Sequence, residues 1–127
     1  MAFPAAARPV GFVLTADRSR AKTFYSETMG FDLVSEDDFA AVYDMSGLTV
    51  RLTDIADHAP SPHTVLGWSV PDIRAAVAAL RDRGVSFLVY PGFGQDDLGI
   101  WSAPDGSAHV AWFADPDGNN LSLTQSG

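Results

Sequence analysis

The stretch Pro9-Val10-Gly11-Phe12-Val13-Leu14-Thr15-Ala16-Asp17 decides the fold, because a counterpart appears in the second half as Thr64-Val65-Leu66-Gly67-Trp68-Ser69-Val70-Pro71-Asp72. Both are short apolar runs that end at an aspartate, and self-similarity at this distance marks a duplicated unit. Each aspartate opens a segment with helical spacing. Ala21, Phe24, Tyr25 and Met29 follow Asp17, and Ile73, Ala76, Val77 and Leu80 follow Asp72. These apolar stripes predict one buried face on a helix of about three turns. Aspartate suits the N-cap because its carboxylate accepts the free backbone N–H groups of the first turn. Gly30 and Gly84 stand where the helices should end, in the left-handed position that glycine tolerates.

After each glycine the pattern turns to strand. Phe31-Asp32-Leu33-Val34-Ser35 follows Gly30, and two further strands are expected at 39–44 and 48–53, separated by Met45-Ser46-Gly47. Val85-Ser86-Phe87-Leu88-Val89-Tyr90 follows Gly84, and strands are expected at 98–103, 109–113 and 120–124. Pro104-Asp105-Gly106 and Asp115-Pro116-Asp117-Gly118-Asn119 read as the turns between them. Residues 91–97, with two glycines and two aspartates, read as a mobile loop. The expected architecture is α+β: a first βαβββ module over 7–55, a linker over 56–63 and a second module over 64–125. One helix cannot cover both faces of a sheet, so the two modules are expected to join in a curved mixed sheet with a cleft.

Composition narrows the function. The chain has 127 residues, 46% hydrophobic and 19% charged, and no cysteine. That excludes a disulfide scaffold, thiolate-held metals and a thiolate nucleophile. Eight Lys and Arg against sixteen Asp and Glu give a net charge of −8, which argues against nucleic acid as a partner. No apolar run approaches the ~18 residues of a membrane span. The opening Met1-Ala2-Phe3-Pro4 lacks a charged segment followed by an apolar one, so a cytoplasmic setting is the expectation.

The strand ending in Asp17, the helix carrying Phe24-Tyr25, the Met29-Gly30-Phe31 junction and the late Phe113-Ala114-Asp115-Pro116-Asp117-Gly118-Asn119 turn resemble the vicinal oxygen chelate superfamily. That group includes glyoxalase I, extradiol dioxygenases, and fosfomycin- and bleomycin-resistance proteins. The resemblance runs from about Arg8 to Gln125 and implies one domain over 1–127 in a glyoxalase/bleomycin resistance/dihydroxybiphenyl dioxygenase-like fold, commonly a homodimer. In metal-dependent members, ligands stand on the first strand of each module and on the last strands. Matching positions here are Val10, Arg51, Val65 and Ser122. Valine has no lone pair to give, arginine is a fixed cation, and a serine hydroxyl is a poor ligand beside imidazole and carboxylate. Shifts of one residue from Val10 or Val65 reach only Pro9, Gly11, Thr64 or Leu66. No metal and no cofactor is therefore expected.

The remaining candidates are weighed by residue type. His109 reads either as a half-buried, hydrogen-bonded strand residue or as a donor or general base lining the cleft. His58 and His63 read as solvated linker histidines, with His63 the best candidate for a displaced metal ligand. Strand alternation separates Thr49, Arg51 and Thr53 from Val50 and Leu52. Arg51 is then either an anchor for a carboxylate, phosphate or phenolate, or a solvated arginine paired with Asp44 or Asp54. Phe12 should line the cleft with Val10 and Leu14, while Trp68, Phe24 and Tyr25 read as core. Tyr43, Tyr90, Phe93, Trp101 and Trp112 read either as core or as a cage for a planar ligand. Asp115 and Asp117 read as turn stabilisers, and Asp96 and Asp97 as a solvated loop tip. The leading expectation is metal-independent binding, or sequestration, of a small aromatic or anionic compound. The alternative is a glyoxalase-like lyase, isomerase or dioxygenase using non-standard ligands such as His63 and His109, or a metal-free acid/base role for His109.

Overall fold

The computed structural model describes residues 2–127. The chain divides into two compact units, Met1–His58 and Ala59–Gly127. The first unit holds β1 (Val10–Thr15), α1 (Arg18–Thr23), a π-helical turn (Phe24–Thr28), β2 (Asp32–Glu36), β3 (Ala40–Met45) and β4 (Leu48–Asp54). The second holds β5 (Thr64–Ser69), α2 (Ile73–Asp82), β6 (Trp101–Ser102), β7 (Ala108–Ala114) and β8 (Asn120–Ser126). Each unit has its own four-stranded sheet, ordered β1-β4-β3-β2 and β5-β8-β7-β6. In both, the first strand runs parallel to the last and the other neighbours are antiparallel. The duplication read in the sequence is thus a duplication of topology.

Both aspartates cap their helices. Asp17 accepts from the N–H of Arg20 at 3.1 Å, and Asp72 from that of Ala75 at 3.1 Å. The first helix does not run on to Gly30 as one α-helix. Its last turn widens, and the N–H of Met29 reaches back five residues to the Phe24 carbonyl at 2.9 Å. The N–H of Phe31 then closes on Tyr25 at 3.0 Å across Gly30, whose φ of 80° needs glycine. This turn leaves Tyr25 fully buried, edge-on to Phe24 at 5.0 Å.

The core of each unit lies on one sheet face. In the first, alternation buries Val13, Ala41, Tyr43, Met45, Val50 and Leu52. In the second, Ala111, Phe113, Leu121 and Leu123 are buried with Ile73 and Val77 of α2. Phe113 lies between Trp68, stacked at 6.5 Å, and Phe87 at 5.3 Å. Trp68 is therefore a core-packing ring, as its alternation predicts.

Two expected strands are shorter than predicted. Residues 85–90 form only an isolated bridge, Phe87 to Phe113, and 98–103 contracts to Trp101–Ser102. The cause is side-chain capture of the backbone. Gln95 accepts from the N–H of Tyr90 at 2.6 Å and donates to the carbonyls of Leu88 and Gly99 at 2.9 and 2.8 Å. Asp96 accepts from the N–H groups of Leu98 and Ile100, both at 2.9 Å. These bonds take groups that a ladder would otherwise use. The segment read as a mobile loop is thus pinned from within, and Asp96 also pairs with Arg74 at 2.9 Å.

An ion network closes the first unit. Arg18 bonds Asp54 at 2.7 Å and Glu36 at 3.3 Å, and Lys22 bonds Glu36 at 2.7 Å. The Lys22 ammonium, then Arg18, hold the Glu36 carboxyl below the usual glutamate range. A lowered folded value contributes stability that is complete above the unfolded value of ~4.3 and is lost as pH falls through the folded value. Glu36→Gln should therefore leave a flatter acid limb in a melting-temperature profile between about pH 5 and pH 2. An unchanged limb would contradict this assignment.

Candidate binding site

The site in the second unit begins at a turn. The buried Asp115 carboxylate accepts from the N–H groups of Asp117 and Asn119 at 2.9 and 3.0 Å and from the Asn119 amide at 2.8 Å. These bonds fix the turn that delivers Asn120 to the start of β8, where it pairs with Thr64 of β5. On β7, alternation sends Phe113 into the core and Trp112 to the opposite face, beside Ser122 in the ladder. The pinned 91–97 segment carries Phe93 over the same place, its N–H bonded to the Tyr90 carbonyl at 3.1 Å.

Three rings meet there. Tyr90 lies 5.4 Å from both Phe93 and Trp112, and Phe93 lies 6.0 Å from Trp112, the Trp112 contacts being edge-on. With His63, Thr64 and Asn120 they line a pocket of about 240 Å³. The rings supply flat apolar walls, and Asn120, Thr64 and Tyr90 form a polar rim.

The other sequence candidates fall elsewhere. Tyr43 corrects the reading of it as a ligand-lining ring. It is fully buried in the first unit, with its hydroxyl 2.6 Å from Ser26 Oγ. Trp101 is half-buried on β6, opposite Val110, and does not line the three-ring pocket. His109 lines a separate recess of about 270 Å³ with Ser102, Gln125 and Arg74, its Nδ1 2.7 Å from Ser102 Oγ. His63 and His109 therefore face different recesses, which removes the pairing that a displaced metal site would need. Among the described residues, no group of three or more His, Cys, Asp or Glu is placed to hold a metal.

Arg51 lies on β4 of the first unit, between Phe12 and Val42 in the ladder. Its face is opposite to the buried Val50 and Leu52, and Phe12 beside it is 63% exposed. Asp54, one of its possible partners, is bonded to Arg18 instead. Among the described residues Arg51 makes no hydrogen bond or salt bridge, although its charge helps hold the Asp37 carboxyl low, behind the larger effect of the Phe39 and Ala40 N–H groups.

The four positions that resemble family metal-ligand positions can be read from the fold. Val10 and Val65 are exposed strand residues without donor atoms. Ser122 is buried against Gly67, where an added Cβ would stand 2.5 Å from the Ser122 hydroxyl. A set of valine, arginine, valine and serine does not fit a divalent transition metal.

A family model, the Glyoxalase/Bleomycin resistance protein/Dioxygenase superfamily, matches residues 9–123, and the chain belongs to that superfamily. Solved structures agree on the fold. A glyoxalase family protein from Bacillus anthracis has a TM-score of 0.75 at 13% identity, with both chains fully covered. TnmS3, an antibiotic binding protein from Streptomyces sp. CB03234, has a TM-score of 0.74 at 28% identity, covering 100% of this chain and 99% of that one. An integron cassette protein from the mobile metagenome of a Halifax Harbour sewage outfall has a TM-score of 0.70 at 21% identity, covering 94% and 98%. No curated protein matches the chain.

The meeting of three rings was legible only in part. Tyr90, Phe93 and Trp112 were among five candidate rings, but nothing in the sequence singled out these three. Asn120, which lines the same pocket, was not among the sequence candidates. Its signal was the turn just before it, which sets the first residue of β8 at the pocket edge.

Proposed function

We propose that the chain binds a small planar aromatic compound and holds it without a metal and without converting it. The observation that carries this reading is the meeting of Tyr90, Phe93 and Trp112 around a pocket of about 240 Å³. Two edge-on rings against a third leave flat faces for a stacked guest. The likeness to an antibiotic binding protein at 28% identity supports sequestration as the role. The test is equilibrium dialysis of the chelator-treated protein against fluorene, a rigid flat hydrocarbon. Saturable binding of one equivalent supports the reading; binding that appears only after a transition metal is restored opposes it.

We infer separately that Arg51, on the first unit's sheet face beside the exposed Phe12, offers a contact for an anionic group within that unit. Arg51→Ala should weaken 1-naphthoate by about fivefold to tenfold and leave naphthalene unchanged. Equal losses for both would remove that role. We carry the expected homodimer into the same proposal, since Phe12, Val34 and Phe39 leave apolar surface exposed on the first unit. Light scattering reads one chain's mass or two.

A further inference from the structure

Resting on that reading, we propose that Tyr90 makes the pocket selective for planar aromatics that carry a neutral hydrogen-bond acceptor, such as a ring carbonyl, at their edge. The argument follows protons. Thr64 Oγ1 donates to Asn120 Oδ1 at 2.8 Å, which turns the amide so that its nitrogen faces the other way. That nitrogen, Nδ2, donates to the Tyr90 phenol oxygen at 2.8 Å. Asn120 is 6% exposed, so this orientation is held inside the protein. The Tyr90 oxygen thus receives one proton and keeps its own. Among the described residues no acceptor takes that proton, and all three groups line the pocket. A phenol with its proton free at the edge of an apolar cage is a fixed donor. Donation into it from Asn120 strengthens that donor, because hydrogen bonds in a chain polarise one another.

The rest of the lining selects a neutral partner. Besides Tyr90, the only titratable lining residue is His63, and no arginine, lysine, aspartate or glutamate is present. A ligand carbonyl can accept from the phenol without bringing a charge among three rings. A hydrocarbon of the same shape would leave the phenol proton unsatisfied.

The experiment compares three rigid, flat probes of nearly one shape by equilibrium dialysis: fluorene, 9-fluorenone with a carbonyl, and carbazole with an N–H. The native chain should bind fluorenone about fivefold more tightly than fluorene, and carbazole no better than fluorene. Tyr90→Phe should erase the fluorenone preference, bringing the ratio of the two affinities to about one. Thr64→Val, which frees the amide to turn over, should reduce the same ratio without touching the phenol. The ratio is the readout, because a general loosening of the pocket weakens both probes together. A fluorenone preference that survives in Tyr90→Phe overturns the inference, as do equal affinities for fluorene and fluorenone in the native chain, which leave aromatic binding standing. A carbazole preference lost in Tyr90→Phe overturns it too, since the phenol would then be an acceptor. Failure of all three probes to bind overturns the aromatic-binding reading and this inference with it.

Discussion

Replacing Trp112 with alanine is expected to weaken fluorene binding roughly 30-fold or more, while changing the urea midpoint little. The indole is half-buried and forms two of the three ring contacts that shape the pocket. Removing a ring at the centre of such a site typically costs about 2–3 kcal/mol of binding. Trp112→Phe should restore much of the loss, because a smaller flat wall remains. Equilibrium dialysis measures this directly and does not depend on the fluorescence that the substitution removes. Affinity within twofold of the native chain would mean that the guest does not sit against this ring.

The neighbouring residue is expected to give the opposite pattern. Phe113→Ala should cost about 3–5 kcal/mol of folding stability, a large share of the roughly 5–15 kcal/mol that a domain of this kind has. Phe113 is fully buried between Trp68 and Phe87, and its ring packs on Phe87 of the 85–90 segment. Its loss leaves a cavity and loosens the segment that carries Tyr90. Phe113→Leu should recover most of the stability, since it refills most of that space. A urea titration followed by circular dichroism decides the matter, and a loss below about 1 kcal/mol would contradict the placement of Phe113 at the centre of that core.

The contrast between positions 112 and 113 shows what the sequence could carry. Period-two alternation on β7 puts Trp112 and Phe113 on opposite faces, but it does not say which face is core, and Trp112 stayed open between core and cage. The aspartate caps, Gly30 and Gly84, and the duplicated strand–helix order were legible because each is a local rule with a local cause. Residues 85–90 were not. Their apolar, β-branched character is that of a strand, but Gln95 and Asp96 take their neighbours' backbone groups, and no periodicity encodes that capture. Tyr43 failed similarly as a site residue. Its aromatic type fits a cage or a core, and its place on the buried face of β3, with its hydroxyl paired to Ser26, puts it in the core. Absence of suitable donors at Val10, Val65 and Ser122 was readable from residue type alone.

The central claim is that a planar aromatic binds in the three-ring pocket of the metal-free chain. Two-dimensional NMR of the three indole N–H groups, Trp68, Trp101 and Trp112, tests it most directly, with Trp112→Phe used to assign the key signal. Adding 9-fluorenone to chelator-treated protein should shift the Trp112 signal strongly and saturably, and leave the Trp68 signal, stacked on Phe113 in the core, nearly still. An unmoved Trp112 signal at saturating probe, or one that moves only after a transition metal is added, would contradict the account.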